Sequence, residues 1–281
     1  MAQLIISDIH ADIRALDTIM EITRDRAFID RYGEITRIIN LGDVVGGGLH
    51  PTEVIEKLID CGVDTNLLSI MGNHDEAFLL NREIPGNSSM SIDAHSDLRG
   101  NQRCMRFLKG LPQYVIDETD RILAVHGGPI DPPLIKERTC PDHLLYRRTW
   151  QRISECNYDY CDGTGYHYTP EHAFKDTVES LGSGVLILCG HEHLEACHIQ
   201  ANGKQKNVIS DMIRRKEVFS NRNINIRAMI RQEDVSYLIR VGIAGPAGYA
   251  ESEPGFRDNS HFGLIWEHQG ADWVGLFSFQ V

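Results

Sequence analysis

Five short clusters of metal-binding side chains lie in order along this chain: Asp8-Ile9-His10, Gly42-Asp43, Gly72-Asn73-His74-Asp75, Val125-His126-Gly127 and Gly190-His191-Glu192-His193. Asp, Asn and His offer oxygen and imidazole nitrogen donors, a set suited to Mn, Fe, Zn, Co or Ni rather than to Mg or Ca alone. Two ions about 4 Å apart need a bridging carboxylate and several further ligands each, and these clusters supply enough donors. Asp8 and His10 alternate along a strand end, as do His191 and His193, so the residue between each pair points the other way. The glycines ahead of Asp43, Asn73 and His191 permit a sharp turn and close backbone approach. Singly these are weak signals, because a D-x-H triplet is common and GNHD also describes a turn entering a helix cap. Their order, each at or just after a predicted strand, is what carries the reading.

The elements that must position them follow from periodicity. Residues 3–7, 36–41 and 67–71 read as buried strands. Ile13, Leu16, Ile19 and Met20 recur at helical spacing, and Pro51 starts a helix with Val54, Ile55, Leu58 and Ile59 on its apolar face. A helix is predicted from 75 to about 80, and residues 85–97, rich in Ser, Asp and Asn, read as a loop. A helix to about 109 follows, then a strand pair at 114–116 and 122–125. Residues 129–170 are irregular and read as an insertion or lid. A helix near 171–181 leads to a strand at 185–189. The last third turns to β patterns: 195–200 and a strand from about 207 flank the Asn202-Gly203 hairpin signal, with strands at 235–241, 262–266 and 273–277. Strand–helix alternation implies parallel strands with right-handed crossovers, placing ligands at strand ends. The chain is expected to be one domain over 1–281, with its β-rich C-terminal part at 195–281.

Composition narrows the function classes. The 281 residues carry 28 basic and 40 acidic side chains, a net charge of −12. That argues against non-specific nucleic-acid binding, which needs Lys and Arg to neutralise phosphates. It leaves room for a small anionic substrate, because bound divalent cations invert the local potential. No apolar run approaches the roughly 20 residues of a membrane helix, and the first six residues show no signal peptide. The seven cysteines are odd in number and scattered, so reduced thiols and a cytoplasmic location are expected. Cys140, His143, Cys156, Cys161, His167 and His172 gather in the insertion, but their spacing matches no usual zinc module.

The order D-x-H, GD, GNH[DE], H, GHxH resembles the signature of the calcineurin-like metallophosphoesterases. The wording around GD and GNHD, together with the glycine-rich 241–246, resembles a bacterial branch of small phosphoesterases. The resemblance implies an α/β fold, a four-layer α/β/β/α sandwich of the metallo-dependent phosphatase type. It also implies a ligand set: Asp8, His10 and His193 for one metal, Asn73, His126 and His191 for the other, and Asp43 between them, with Mn favoured. His74 would face the substrate as a general acid, and Asp75 would orient its ring. The implied reaction is hydrolysis of a phosphate ester by a water whose pKa two metals lower.

One departure bears on substrate. The protein Ser/Thr phosphatase branch carries phosphate-clamping arginines after GD and before GNH. Here those neighbourhoods hold Gly46-Gly47-Gly48 and Met71. Arg147 and Arg148 could supply phosphate contacts from the insertion, though a solvated surface pair is the simpler reading. The expected substrate is therefore a small phosphodiester or nucleotide. The alternatives are a phosphomonoesterase, including a Ser/Thr protein phosphatase, and a non-catalytic scaffold on the same fold.

Overall fold

The computed structural model describes residues 1–83, 88–136, 138–154, 158–249 and 259–281. Its strands are β1 (Ala2–Ile6), β2 (Ile35–Asn40), β3 (Asn66–Ser69), β4 (Tyr114–Asp117), β5 (Ile122–Val125), β6 (Arg152–Ile153), β7 (Tyr160–Asp162), β8 (Gly165–Tyr168), β9 (Leu186–Cys189), β10 (Glu195–Ala201), β11 (Lys204–Asn207), β12 (Ile213–Phe219), β13 (Arg222–Ile230), β14 (Ser236–Val241), β15 (Asn259–His268) and β16 (Ala271–Gln280). The helices are α1 (Ile13–Arg24), α2 (Arg26–Tyr32), α3 (Pro51–Asp64), α4 (Asn73–Leu79), α5 (Ser89–Leu98), α6 (Gln102–Lys109) and α7 (Pro170–Leu181).

Among the described residues, one sheet runs β12-β13-β16-β15-β1-β2-β3 and the other β11-β10-β14-β9-β5-β4. β1, β2 and β3 are parallel, as are β14 with β9 and β9 with β5. Because side chains alternate faces, each strand feeds two layers. Leu4, Ile6 and Ile38 pack outward against Leu16 and Ile19 of α1 and Val54 and Leu58 of α3. Ile5, Ile39, Ile265 and Leu276 pack inward against Ala124, Leu188, Ile239 and Val241 of the second sheet. The outer face of that sheet, Leu123, Ile187 and Leu238, is covered by Phe174 of α7 and by Tyr146, Tyr166 and Tyr168. The four-layer α/β/β/α sandwich expected from the sequence is thus present. Its last layer is completed by the insertion, whose β6, β8 and β7 form a small sheet.

Three expectations need correction. Residues 89–98 are helical, not loop; residues 84–87 lie outside the described set. Ser88 caps α5 by accepting from Ser91 N–H, and the face it buries is Ser91, His95 and Leu98. Two of those three are polar, so hydropathy conceals the helical spacing. The β12–β13 hairpin was absent from the strand pattern because β12 is an almost wholly exposed edge strand. Its Ser220-Asn221 turn takes φ of 48° and 60°, the mirror-image turn that two-residue hairpins favour. Finally, Cys140 and Cys161 form a disulfide rather than remaining reduced thiols. Tyr146, whose hydroxyl accepts from Cys140 N–H, packs on Tyr166 of β8 and draws the Cys140 segment beside β7. Cys156 lies outside the described residues. No helix of the described residues is long and apolar enough to cross a membrane.

Candidate metal centre

The five clusters converge at the carboxyl ends of β1, β2, β3, β5 and β9. Asp8 and His10 follow β1, Asp43 follows β2, Asn73 and His74 open α4 after β3, His126 follows β5, and His191 and His193 follow β9. Backbone geometry there is unusual. Asp8, His10, Asp43, His191 and His193 take φ of 56°, 48°, 53°, 67° and 59°. Non-glycine residues in this left-handed region cost about 1–3 kcal/mol each and cluster at functional sites. A Cβ on Gly72 would overlap the Asp43 carboxylate, and one on Gly190 would overlap Ser7 and Asp8. Only glycine lets these four strand ends approach so closely.

The donor atoms fall into groups lying within 4.8 Å of one another: Asp8, His10 and His193; His10, Asp43 and His74; and Asp43, His126 and His191. Asp43 and His10 each belong to two of them, and of the two only Asp43, a carboxylate, is able to bridge two ions. His193 Nε2 is 3.4 Å from Asp8 Oδ1, His126 Nε2 is 3.2 Å from Asp43 Oδ2, and Asn73 Oδ1 is 3.0 Å from His126 Nε2. Such separations suit ligands each about 2.0–2.2 Å from a shared ion. The surroundings leave the inward atoms open. Asp43 Oδ1 accepts from His74 N–H at 2.8 Å, while its Oδ2 and His191 Nε2 are buried with no hydrogen-bond partner. His126 Nδ1 lies 2.8 Å from Leu41 O, so an Nδ1–H tautomer presents Nε2 to the centre. Buried acceptors without donors are costly unless a cation meets them, so this donor set fits two divalent ions.

Burial opposes charge on His126, but Asp43 and Asp8 outweigh it and hold the imidazole up at about 9, so a divalent ion would have to displace its Nε2 proton. Burial drives His10 and His191 well below the ordinary imidazole range, so both are neutral, as ligands must be. Burial also lowers His74, whose Nε2 lies 3.9 Å from Asp43 Oδ2. Asp75, expected to orient the His74 ring, directs its carboxylate to backbone. Oδ1 accepts from Val44 N–H and Val45 N–H at 3.0 and 3.1 Å, and Oδ2 accepts from Gly72 N–H at 2.9 Å. Burial and the neighbouring Asp43 raise this carboxyl to about 7.

Sequence reasoning missed two supporting residues. His95 is buried and accepts from Gly46 N–H through Nε2 at 2.9 Å. Glu76, one turn into α4, is also buried, and it accepts from Thr149 Oγ1 at 2.7 Å, Trp150 Nε1 at 3.1 Å, Gln113 Nε2 at 3.2 Å and from Arg147. No spacing rule joins residue 76 to 147–150. The nearest available signal was an acid directly after the GNHD cluster. Through Glu76 the insertion is pinned beside the centre, where Arg148 O accepts both Gly127 N–H and Gly128 N–H. On the other side Arg152 pairs with Glu192 at 2.8 Å. Arg148 itself pairs with Asp131 and stacks 4.0 Å over Tyr114, so neither arginine is a loose surface cation.

The glycine-rich 241–246 crosses the end of β1. Ala244 N–H donates to Ser7 O and Gly245 N–H to Asp8 O. This loop therefore holds the first ligand strand from the opposite side to β2.

Comparison with known proteins agrees with this geometry. A metallophosphoesterase from Sphaerobacter thermophilus superposes with a TM-score of 0.59 at 20% identity, covering 98% of this chain and 86% of that one. A protein serine/threonine phosphatase from Saccharomyces cerevisiae gives 0.58 at 14% identity, covering 100% and 80%. At these identities the likeness is one of fold. An uncharacterized protein of Methanocaldococcus jannaschii is 30% identical over 146 residues, which is 50% of this chain and 54% of that relative, so the match spans about half of its length. The family model for calcineurin-like phosphoesterases matches residues 1–195, a span holding all five candidate ligand clusters, and the chain belongs to the calcineurin-like phosphoesterase family.

Proposed function

We propose that this protein hydrolyses phosphate esters at a centre of two divalent ions, Mn²⁺ favoured, with small phosphodiesters or nucleotides as the substrate class. The observation that carries the reading is Asp43, whose one carboxylate lies with His126 and His191 on one side and with His10 and His74 on the other. Asp8, His10 and His193 would hold one ion, and Asn73, His126 and His191 the other. When bound, such ions supply Lewis acidity and lower the pKa of water.

The chain's own residues then do the rest. His74 sits at the start of α4, where its backbone N–H fixes Asp43 and its ring projects beside the centre. A proton on its ring can be donated to the leaving oxygen. Asp75 and His95 together hold the amides of residues 44, 45 and 46, so the wall beside His74 is rigid. Preference for a diester is supported by the absence of arginine from the glycine loop and from position 71, and by the engagement of Arg147 with Glu76 and Arg148 with Asp131. A terminal dianionic phosphate is usually met by a bidentate arginine fork.

The test is a paired assay of Mn²⁺-loaded protein on p-nitrophenyl phosphate and bis-p-nitrophenyl phosphate, with His74→Ala as the blank. Faster diester cleavage is expected. Faster monoester cleavage moves the assignment to a phosphomonoesterase. Turnover of neither, with two ions bound, sinks the general reading in favour of a scaffold.

A further inference from the structure

Toward the β12 edge of the larger sheet, the layer between the two sheets opens into a cavity of about 470 Å³. That is the size range of small-ligand sites. Its lining includes Arg214, Arg215 and Lys216 of β12, Asn225 and Arg227 of β13, and Glu195 of β10, over a floor containing Leu276. Register explains the convergence. Arg214 is paired with Arg227, Arg227 with Leu276, Lys216 with Asn225, and Asn225 with Ser278. Strand alternation turns all of these to the same face, the one on which Leu276 meets the second sheet.

The charge there runs against the protein as a whole, which is net −12. Glu195 is the acid in the lining, and it is engaged by Arg227 at 2.9 Å and His261 at 3.1 Å. Among the described residues, no carboxylate pairs with Arg214, Arg215 or Lys216. Arg214 and Lys216, uncompensated and facing one concavity, repel each other, and an anion relieves that repulsion.

The cavity is tied to the centre by backbone. His193 O accepts from Ile243 N–H, Ile243 O accepts from His261 N–H, and His261 Nδ1 meets Glu195 at the cavity wall. β13 and β12 stand three and four strands from β1 in the sheet, roughly 14–19 Å away at about 4.8 Å per strand. A single phosphate cannot touch both places. Among the described residues the lining contains no aromatic ring, the stacking platform that grips bases in single-stranded nucleic-acid sites. It offers guanidinium and ammonium groups, which recognise phosphate.

We infer that this groove binds further phosphate groups of the substrate, making the substrate an extended ester with several phosphates in line. This rests on the phosphoesterase reading of the metal centre, but its test does not depend on turnover. Metal-free, full-length protein is titrated with medium-chain linear polyphosphate. Wild type binds, and Arg214→Glu/Lys216→Glu binds about tenfold or more weakly, because two attractive charges become repulsive. Arg26→Glu/Arg103→Glu makes the same change in net charge on exposed helices elsewhere, and binds as wild type. No binding by wild type, or equal loss in both double variants, overturns the groove. In the turnover arm, the Mn²⁺ enzyme is given the terminal p-nitrophenyl ester of the same medium-chain polyphosphate and bis-p-nitrophenyl phosphate. Wild type has the higher kcat/KM for the polyphosphate ester, and Arg214→Glu/Lys216→Glu loses that ratio. A ratio that survives substitution also overturns the proposal. No turnover of either substrate by wild type removes the phosphoesterase reading alone, and the polyphosphate titration still decides the groove.

Discussion

His95 Nε2 accepts the backbone N–H of Gly46 at 2.9 Å, and the Gly46 Cα lies against the His74 ring so closely that a Cβ there would overlap it. His95 Nδ1 meets Ser91 O at 2.6 Å. A neutral His95 with its proton on Nδ1 satisfies both contacts, and burial keeps its pKa below the ordinary value. A histidine far from the ligand clusters thereby sets the wall beside His74. His95→Phe keeps the shape but leaves a buried N–H unpaired, at a cost of about 1–3 kcal/mol. Activity should fall about 10–100-fold through misplacement, with metal content unchanged. His95→Gln, which restores an acceptor, should recover part of both. Thermal unfolding, metal analysis and steady-state kinetics on the two variants read these effects. Wild-type kcat in His95→Phe would show that the contact has no bearing on catalysis.

His74 and Asp75 separate by role. His74→Ala should retain both ions and lose about 10²–10⁴ in kcat, the range of a lost general acid. Asp75→Asn should act on folding first, since one of its two amide-group orientations sets N–H against N–H at Gly72 and the other at Val44 and Val45. An unmet buried donor costs about 1–3 kcal/mol. Denaturant unfolding of Asp75→Asn with unchanged midpoint would count against this structural role.

Asp43→Asn should lose metal rather than merely slow the chemistry. A neutral amide cannot bridge two cations as a carboxylate does, and the groups around Asp43 lose the charge that draws them together. Elemental analysis after equilibration in limiting Mn²⁺ is expected to show less than one ion retained per two in wild type. Full occupancy would contradict the bridging position.

Glu76 holds four donors, three of them from residues 147–150 of the insertion. Glu76→Ala leaves Thr149 and Trp150 donors unmet and should destabilise by about 1–3 kcal/mol, the cost of an unmet buried donor. Amide exchange should accelerate selectively at Gly127, Gly128 and residues 147–151, whose amides lie along the released segment. Exchange rising evenly over the whole chain would mean that Glu76 supports α4 alone and not the insertion.

The sequence by itself determined the candidate ligand clusters and the order of the strands that precede them. This was possible because metal-binding side chains are chemically few and an α/β sheet places them just past its strand ends, although left-handed φ at Asp8, His10, His191 and His193 replaces the strand alternation expected there. Asp8-x-His10 and His191-x-His193 are legible for that reason. It also determined the Asn202-Gly203 hairpin, because few residue pairs accept φ of 51° and 72°. Tertiary structure decided what depends on partners distant in the chain. The helix of residues 89–98 was concealed because Ser91 and His95 bury polar groups whose partners include Gly46, a loop residue 49 positions from His95. Asp75 turned to backbone amides 30 and 31 residues earlier. Glu76 met donors more than 70 residues later. Arg214 and Lys216 came to share a concavity with Arg227 through hairpin register, not through any motif. Hydrogen bonds and charge pairing act over a few ångströms in space with no fixed separation in sequence, so only the folded chain could reveal them.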